Sequence, residues 1–342
     1  MKRILLFLSL PLLLVSCITE DVLENSPQGN FDALWRTLDQ RYCFFDYKAK
    51  EYGLNWDEVY NRYQKVVKPN LKSEDLFDIC RSMLRELRDG HVNLTAAHDV
   101  ARYWDWFEKY PANFSDSLQR PYLGTDYHIG SGIKYKILND NIGYIYCETF
   151  NNGFGSGNLS EMLRYFAITD GLIIDVRNNA GGMITSAQDL AGCFTNEKRI
   201  GAYICHKTGK GHNDFSEPTP IYIDPAKGLI WQKKVVVLTN RRCYSAANAF
   251  VMFMKACPNV KIVGDRTGGG SGLPLNSELP NGWHIRFSAC PMFDKDKNQT
   301  EMGIDPDLKV DITSQDYEKG IDTIIEAART LLKKKAEKSL EE

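Results

Sequence analysis

The chain has 342 residues, 43% hydrophobic and 25% charged, enough apolar material for one large or two modest domains. Its 42 Lys and Arg against 44 Asp and Glu leave a net charge of −2, so the charge balance gives no case for nucleic acid as a partner. No cysteine pair and no cysteine–histidine spacing suits a metal, and neither a metal nor a cofactor is expected.

The N-terminus reads as a targeting segment. Lys2 and Arg3 precede an apolar run from Ile4 to Val15, shorter than the roughly 20 apolar residues of a membrane span. The run ends in Leu14-Val15-Ser16-Cys17, which resembles a bacterial lipobox. That resemblance implies a leader over residues 1–17, lipidation of Cys17, and attachment to a membrane surface without spanning it. Ile18, rather than an acid, points to the outer membrane of a bacterial envelope, on its periplasmic or outer face. Residues 18–30 form a polar tether.

Residues 31–94 form an N-terminal helical region. Phe31, Leu34, Trp35, Leu38 and Tyr42 make one apolar stripe at helical spacing. A second helical pattern runs from Asn55 to about Val67, ahead of Pro69. A third opens at Ser73 with Glu74 and Asp75 in its first turn and stops at Asp89-Gly90, directly before His91. Residues 95–130, rich in aromatics, Asp and Pro, are a connecting segment without an assigned structure.

Residues 131–336 alternate strands and helices, which predicts an α/β core with parallel pairing. Strands are expected at 133–137, 142–147, 172–176, 235–238 and 260–263. Helices are expected at 162–167 (capped by Ser160), 186–193, 245–257 and 315–334. Eight cysteines beyond Cys17 fall mostly in apolar runs, where a thiol acts as a small hydrophobe; spacing alone pairs none of them.

Four separated motifs carry the chemistry. Ser245 follows the buried strand Val235-Val236-Val237-Leu238 and opens a helix through Ala246-Ala247, where free N–H groups favour developing negative charge. Asp175-Val176-Arg177-Asn178-Asn179-Ala180-Gly181-Gly182 ends another buried strand, and its paired glycines let backbone N–H groups approach an oxyanion. His91 offers a base of suitable pKa for a serine hydroxyl. Glu301, in Glu301-Met302-Gly303-Ile304-Asp305-Pro306-Asp307, offers a carboxylate.

Together with Gly264-Asp265-Arg266-Thr267-Gly268-Gly269-Gly270-Ser271-Gly272, these motifs resemble the tail-specific (C-terminal processing) serine protease family over roughly residues 75–335. Many members place a general-base lysine where this chain has Gly270. The tricorn-like branch uses a histidine instead, and His91 stands in the corresponding place. The resemblance implies a crotonase/ClpP-like α/β core and a triad of Ser245, His91 and Glu301 acting on peptide or protein substrates. It also implies an oxyanion hole of the Ala246 N–H with that of Gly181, or alternatively Gly182. Residues 95–130 are too few for the PDZ domain that many members carry. A non-catalytic ligand-binding module on the same core, or an esterase-like acyl hydrolase, is the competing expectation.

Overall fold

The computed structural model describes residues 24–333. The leader, Cys17 and residues 18–23 of the tether lie outside the described residues. In chain order come α1 (Pro27–Arg41), α2 (Phe45–Tyr52), α3 (Trp56–Tyr63), α4 (Ser73–Arg85), β1 (Asn93–Thr95), β2 (Val100–Ala101), α5 (Asp105–Glu108), α6 (Asp116–Leu123), β3 (His128–Gly130), β4 (Ile133–Ile137) and β5 (Ile142–Tyr146). There follow α7 (Ser156–Tyr165), β6 (Gly171–Asp175), α8 (Ile184–Gly192), β7 (Arg199–Ile204), β8 (Thr219–Ile223), β9 (Val235–Thr239) and α9 (Ala246–Lys255). The chain closes with β10 (Val260–Gly264), β11 (Gly272–Glu278), β12 (His284–Asp294), β13 (Leu308–Lys309), α10 (Ser314–Glu318) and α11 (Thr323–Lys333).

The central sheet has the order β13-β10-β9-β6-β5-β4-β3. Its pairs from β13 to β5 are parallel, while β4 and β3 continue it antiparallel. Successive side chains point to opposite faces of a strand. Accordingly Leu172, Ile174, Val235 and Val237 pack into the cluster built on α7, α8 and α9, while Ile173, Val236 and Leu238 pack against α11 on the other face. Covering both faces explains why β6 and β9 are continuous apolar runs rather than alternating ones. The carboxyl ends of β6 and β9 therefore open at one edge, where ligands of such sheets bind.

A second, antiparallel sheet runs β2-β1-β12-β7-β8, with β11 also paired to β12; none of its strands was expected from the sequence. It changes how the N-terminal region is built. Phe31, Leu34, Leu38, Phe77 and Met83 from the helices share one core with Ile285, Phe287 and Ala289 of β12. The helical region is thus fastened to the core by a strand nearly 200 residues downstream in the chain, on the order of 250 residues after α1.

Several boundaries differ from expectation for local reasons. Helix α1 starts at Pro27, because Ser26 accepts the Gly29 N–H at its cap and proline suits the first turn. Ser160 is not a cap; it lies inside α7 and its hydroxyl donates to the Ser156 carbonyl. The expected helix over 315–334 is two helices, separated at Gly320, whose φ of 70° breaks the first. The connecting segment carries α5 and α6, and all eight described cysteines are buried and unpaired.

Candidate active site

Ser245 sits at the N-cap of α9 with φ 56° and ψ −121°, a conformation L-residues seldom hold without support. The support is on both sides. The Ser245 N–H donates to the Gly269 carbonyl at 2.9 Å, and the Tyr244 N–H donates to Asn179 at 3.1 Å. The backbone thereby presents Oγ at the edge of a cavity of about 290 Å3 lined by Gly182, Met183, Ala246, Met252 and Met292, among others.

His91 Nε2 lies 2.9 Å from Ser245 Oγ, so in the neutral ring tautomer with Nε2 free the hydroxyl donates to it. Burial pushes the imidazole down to about 4; Asp89 opposes that shift, and the cations Arg286 and Lys48 add to it. His91 is thus neutral, in its proton-accepting form, over the whole ordinary pH range. Asp89 holds the residue from behind: its Oδ1 accepts the His91 backbone N–H at 2.7 Å. Its Oδ2 accepts the hydroxyls of Tyr42 at 2.8 Å and Ser288 at 2.9 Å. Tyr244 lays its ring edge-on to the imidazole at 4.9 Å and is itself stacked on Trp106 at 4.1 Å.

Glu301 does not make the bond expected of it. Its Oε2 accepts the Ser271 N–H at 3.0 Å and its Oε1 faces Lys48 at 3.5 Å, whereas His91 Nδ1 is buried with no hydrogen-bond partner among the described residues. The reason is the buried Lys48 ammonium of α2, which stands between the two acids and draws the Glu301 carboxylate to itself, lying 3.9 Å from Asp89. Burial, with the Asp89 charge nearby, pushes Glu301 up to about 8, while Lys48 and His91 help keep Asp89 below the ordinary carboxylate range against its own burial. Lys48, Asp89, Tyr244 and Arg286 were not singled out from the sequence; the one signal available was proximity, Asp89 lying two residues before His91 and Tyr244 directly before Ser245.

The paired glycines divide their roles. The Gly181 N–H is taken by Asn179 Oδ1 at 2.9 Å, which speaks against it as the oxyanion donor favoured from sequence. The N–H groups of Gly182 and Ala246 have no acceptor among the described residues, and both residues line the cavity with Ser245. At Gly182, φ is 139° and a Cβ would stand 2.3 Å from the Phe150 carbonyl carbon, so only glycine fits. The rest of this motif is scaffold: Arg177 is fully buried, paired with Asp175 at 2.6 Å and Asp322 at 2.9 Å.

The missing lysine also has a structural reason. Gly270 has φ 75°, and a Cβ there would lie 2.4 Å from the Tyr244 ring. The ring that steadies His91 occupies the space a side chain at position 270 would need.

The sequence pattern of the domain described as peptidase family S41 matches residues 141–310, and that of the tricorn protease C1 domain matches residues 23–85. A solved chain from Parabacteroides merdae is 51% identical, covers 91% of this chain and 98% of its own, and superposes with a TM-score of 0.87. This chain belongs to peptidase family S41. It is 31% identical over 177 residues to the tricorn-like protease C-terminal subunit of Sulfurisphaera tokodaii, covering 49% of this chain and 18% of that protein. It is 26% identical over 187 residues to a CtpA-like serine protease of Staphylococcus haemolyticus, covering 54% of this chain and 36% of that one. The matches thus span well under half the length of these curated relatives.

Proposed function

We propose that this S41 family member is a serine peptidase that works through an acyl-enzyme on Ser245. The observation that carries this is the 2.9 Å approach of His91 Nε2 to Ser245 Oγ, at a helix N-terminus on the wall of a cavity. Oγ attacks the scissile carbonyl while its proton passes to Nε2. The oxyanion is received by the N–H groups of Gly182 and Ala246. The C–N bond then breaks as Nε2 protonates the leaving amine, and a water deprotonated by the same nitrogen hydrolyses the acyl ester. Asp89 anchors His91 and supplies the charge that favours imidazolium, while Glu301 acts at one remove, through Lys48 and the loop at Ser271.

The test is labelling by a serine-reactive phosphonate probe on purified protein lacking residues 1–17. Labelling at Ser245 that collapses in Ser245→Ala and in His91→Ala is the expected result. Labelling that survives His91→Ala would remove the histidine from the base role.

Leu14-Val15-Ser16-Cys17 supports a lipid-anchored placement at the bacterial cell envelope, with peptides or proteins of that compartment as substrates. Incorporation of labelled fatty acid into the full chain, lost in Cys17→Ala, is the corresponding measurement. Among the described residues no helix is long and apolar enough to cross a membrane.

A further inference from the structure

The cavity beside Ser245 is lined by methionines, glycines, small apolar residues and serines, and by a single charged side chain, Arg286. Arg286 is exposed, and no hydrogen bond, ion pair or ring contact engages its guanidinium among the described residues. Its place in β12 explains the lack of a partner. The residues in register with it on the flanking strands are Asn93 of β1 and Asn276 of β11, both uncharged. Arginines elsewhere near this edge are satisfied: Arg177 has two acids, and Arg266 faces Asp305 at 3.6 Å.

A lone cation here carries a catalytic cost. Arg286 is close enough to His91 to disfavour imidazolium, the species that forms as Ser245 attacks. The charged groups acting on His91 are Asp89, which favours its protonation, and Lys48 and Arg286, which oppose it. Asp89 and Lys48 offset one another inside the protein at 3.9 Å, whereas Arg286 faces the cavity with nothing to offset it.

We propose that Arg286 docks a carboxylate of the substrate, and that this site cleaves peptides carrying a negative charge next to the scissile bond. The inference rests on the peptidase reading above. A guanidinium presents a donor fork that matches a carboxylate. Once paired, it no longer opposes the imidazolium, so an acidic substrate both binds the cavity and relieves one of the influences that lower the basicity of His91, burial remaining the largest. The carboxylate is a Glu or Asp side chain or the free C-terminus of the peptide, which share this chemistry.

The experiment uses quenched fluorescent peptides in matched pairs: Glu against Gln at each position flanking the bond, and free acid against C-terminal amide. Each pair is measured on wild type, Arg286→Gln and Arg286→Lys, and the phosphonate probe reports the Ser245 site in the same preparations. The ratio within each pair is compared, so a general loss of activity in a variant cancels. Wild type is expected to favour the charged member about tenfold in kcat/KM, with part of the effect in kcat. The preference should vanish in Arg286→Gln and persist in weakened form in Arg286→Lys. A Glu-over-Gln preference assigns the side chain as the source, and an acid-over-amide preference assigns the C-terminus. Cleavage with no preference in wild type, or a preference surviving Arg286→Gln, overturns the proposal while leaving the peptidase standing. Absence of both labelling and cleavage in wild type brings down the peptidase reading and this inference with it.

Discussion

At the scale of single residues, the site is governed by which groups are kept neutral. His91 is held down to about 4 by burial, so kcat/KM, which reports the free enzyme, should keep its acid limb near pH 4 rather than near the ordinary histidine value of 6.5. A limb at or above about 6.5 in the pH profile would contradict the burial argument. Glu301 is displaced the other way, up to about 8 from 4.5. Between those two values the unfolded chain has released this proton and the folded chain has not. The contribution of Glu301 to stability is therefore full below about pH 4.5, falls as pH rises, and levels off above about 8. Glu301→Gln should gain stability relative to wild type across that window and show a flat difference above it, as urea denaturation at about pH 5 and pH 8 would reveal. At position 270 the strain of a positive φ adds to overlap with Tyr244. Gly270→Lys should not create a lysine base; it should destabilise by about 2 kcal/mol or more and lose phosphonate labelling.

At the scale of elements, α2 is the part that sequence reading passed over and the site depends on. Its eight residues, Phe-Asp-Tyr-Lys-Ala-Lys-Glu-Tyr, show no helical stripe, and the residue it buries deepest is a lysine. A buried lysine looks like any surface lysine until its partners, 41 and 253 positions away (89 − 48 and 301 − 48), are folded against it. Removing that cation leaves Asp89 without its compensating charge. Lys48→Met should cost about 3 kcal/mol, and pairing it with Glu301→Gln should cost less than the sum of the two single changes, measured as a double-mutant cycle. Strictly additive effects would show that Lys48 and Glu301 do not sense each other. The parallel strands β6 and β9 were legible because burial on both faces leaves an unbroken apolar run of β-branched residues and leucine. The motifs at their carboxyl ends, and His91 after α4, were legible instead through their resemblance to the family's motifs, and so Ser245 and His91 could be matched before any contact was known. Strands β11 and β12 were not: β11 is Gly-Leu-Pro-Leu-Asn-Ser-Glu, polar and with a proline, and the run of β12 is interrupted by Pro291. The choice between Gly181 and Gly182 was equally out of reach, since it depends on a side-chain acceptor, Asn179, that spacing does not reveal.

At the scale of the whole molecule, the two sheets and the N-terminal helices share burial so fully that each described cysteine is enclosed. Burial pushes the Cys80, Cys147, Cys193 and Cys243 thiols up to about 12, so the reactive thiolate is suppressed as well as shielded. Native protein lacking residues 1–17 should react with an aromatic disulfide reagent at no more than a small fraction of its eight thiols, and at all eight in denaturant. Rapid reaction of several thiols without denaturant would mean that the domain opens far more readily than its packing implies.

The working groups stand at positions 48, 89, 91, 182, 245 and 301, and the strained Ser245 backbone leans on Gly269, whose neighbour Gly270 hangs from the Glu301 carbonyl. A polypeptide still emerging from the ribosome has a serine, a histidine and glycines, but nothing holds them within reach of one another. The site is assembled only when the last quarter of the chain, with Glu301, has closed over the first, with Lys48. On the peptidase reading, a nascent chain therefore stays inactive until then, because the contacts that hold Ser245 and His91 in place reach as far along the sequence as Glu301.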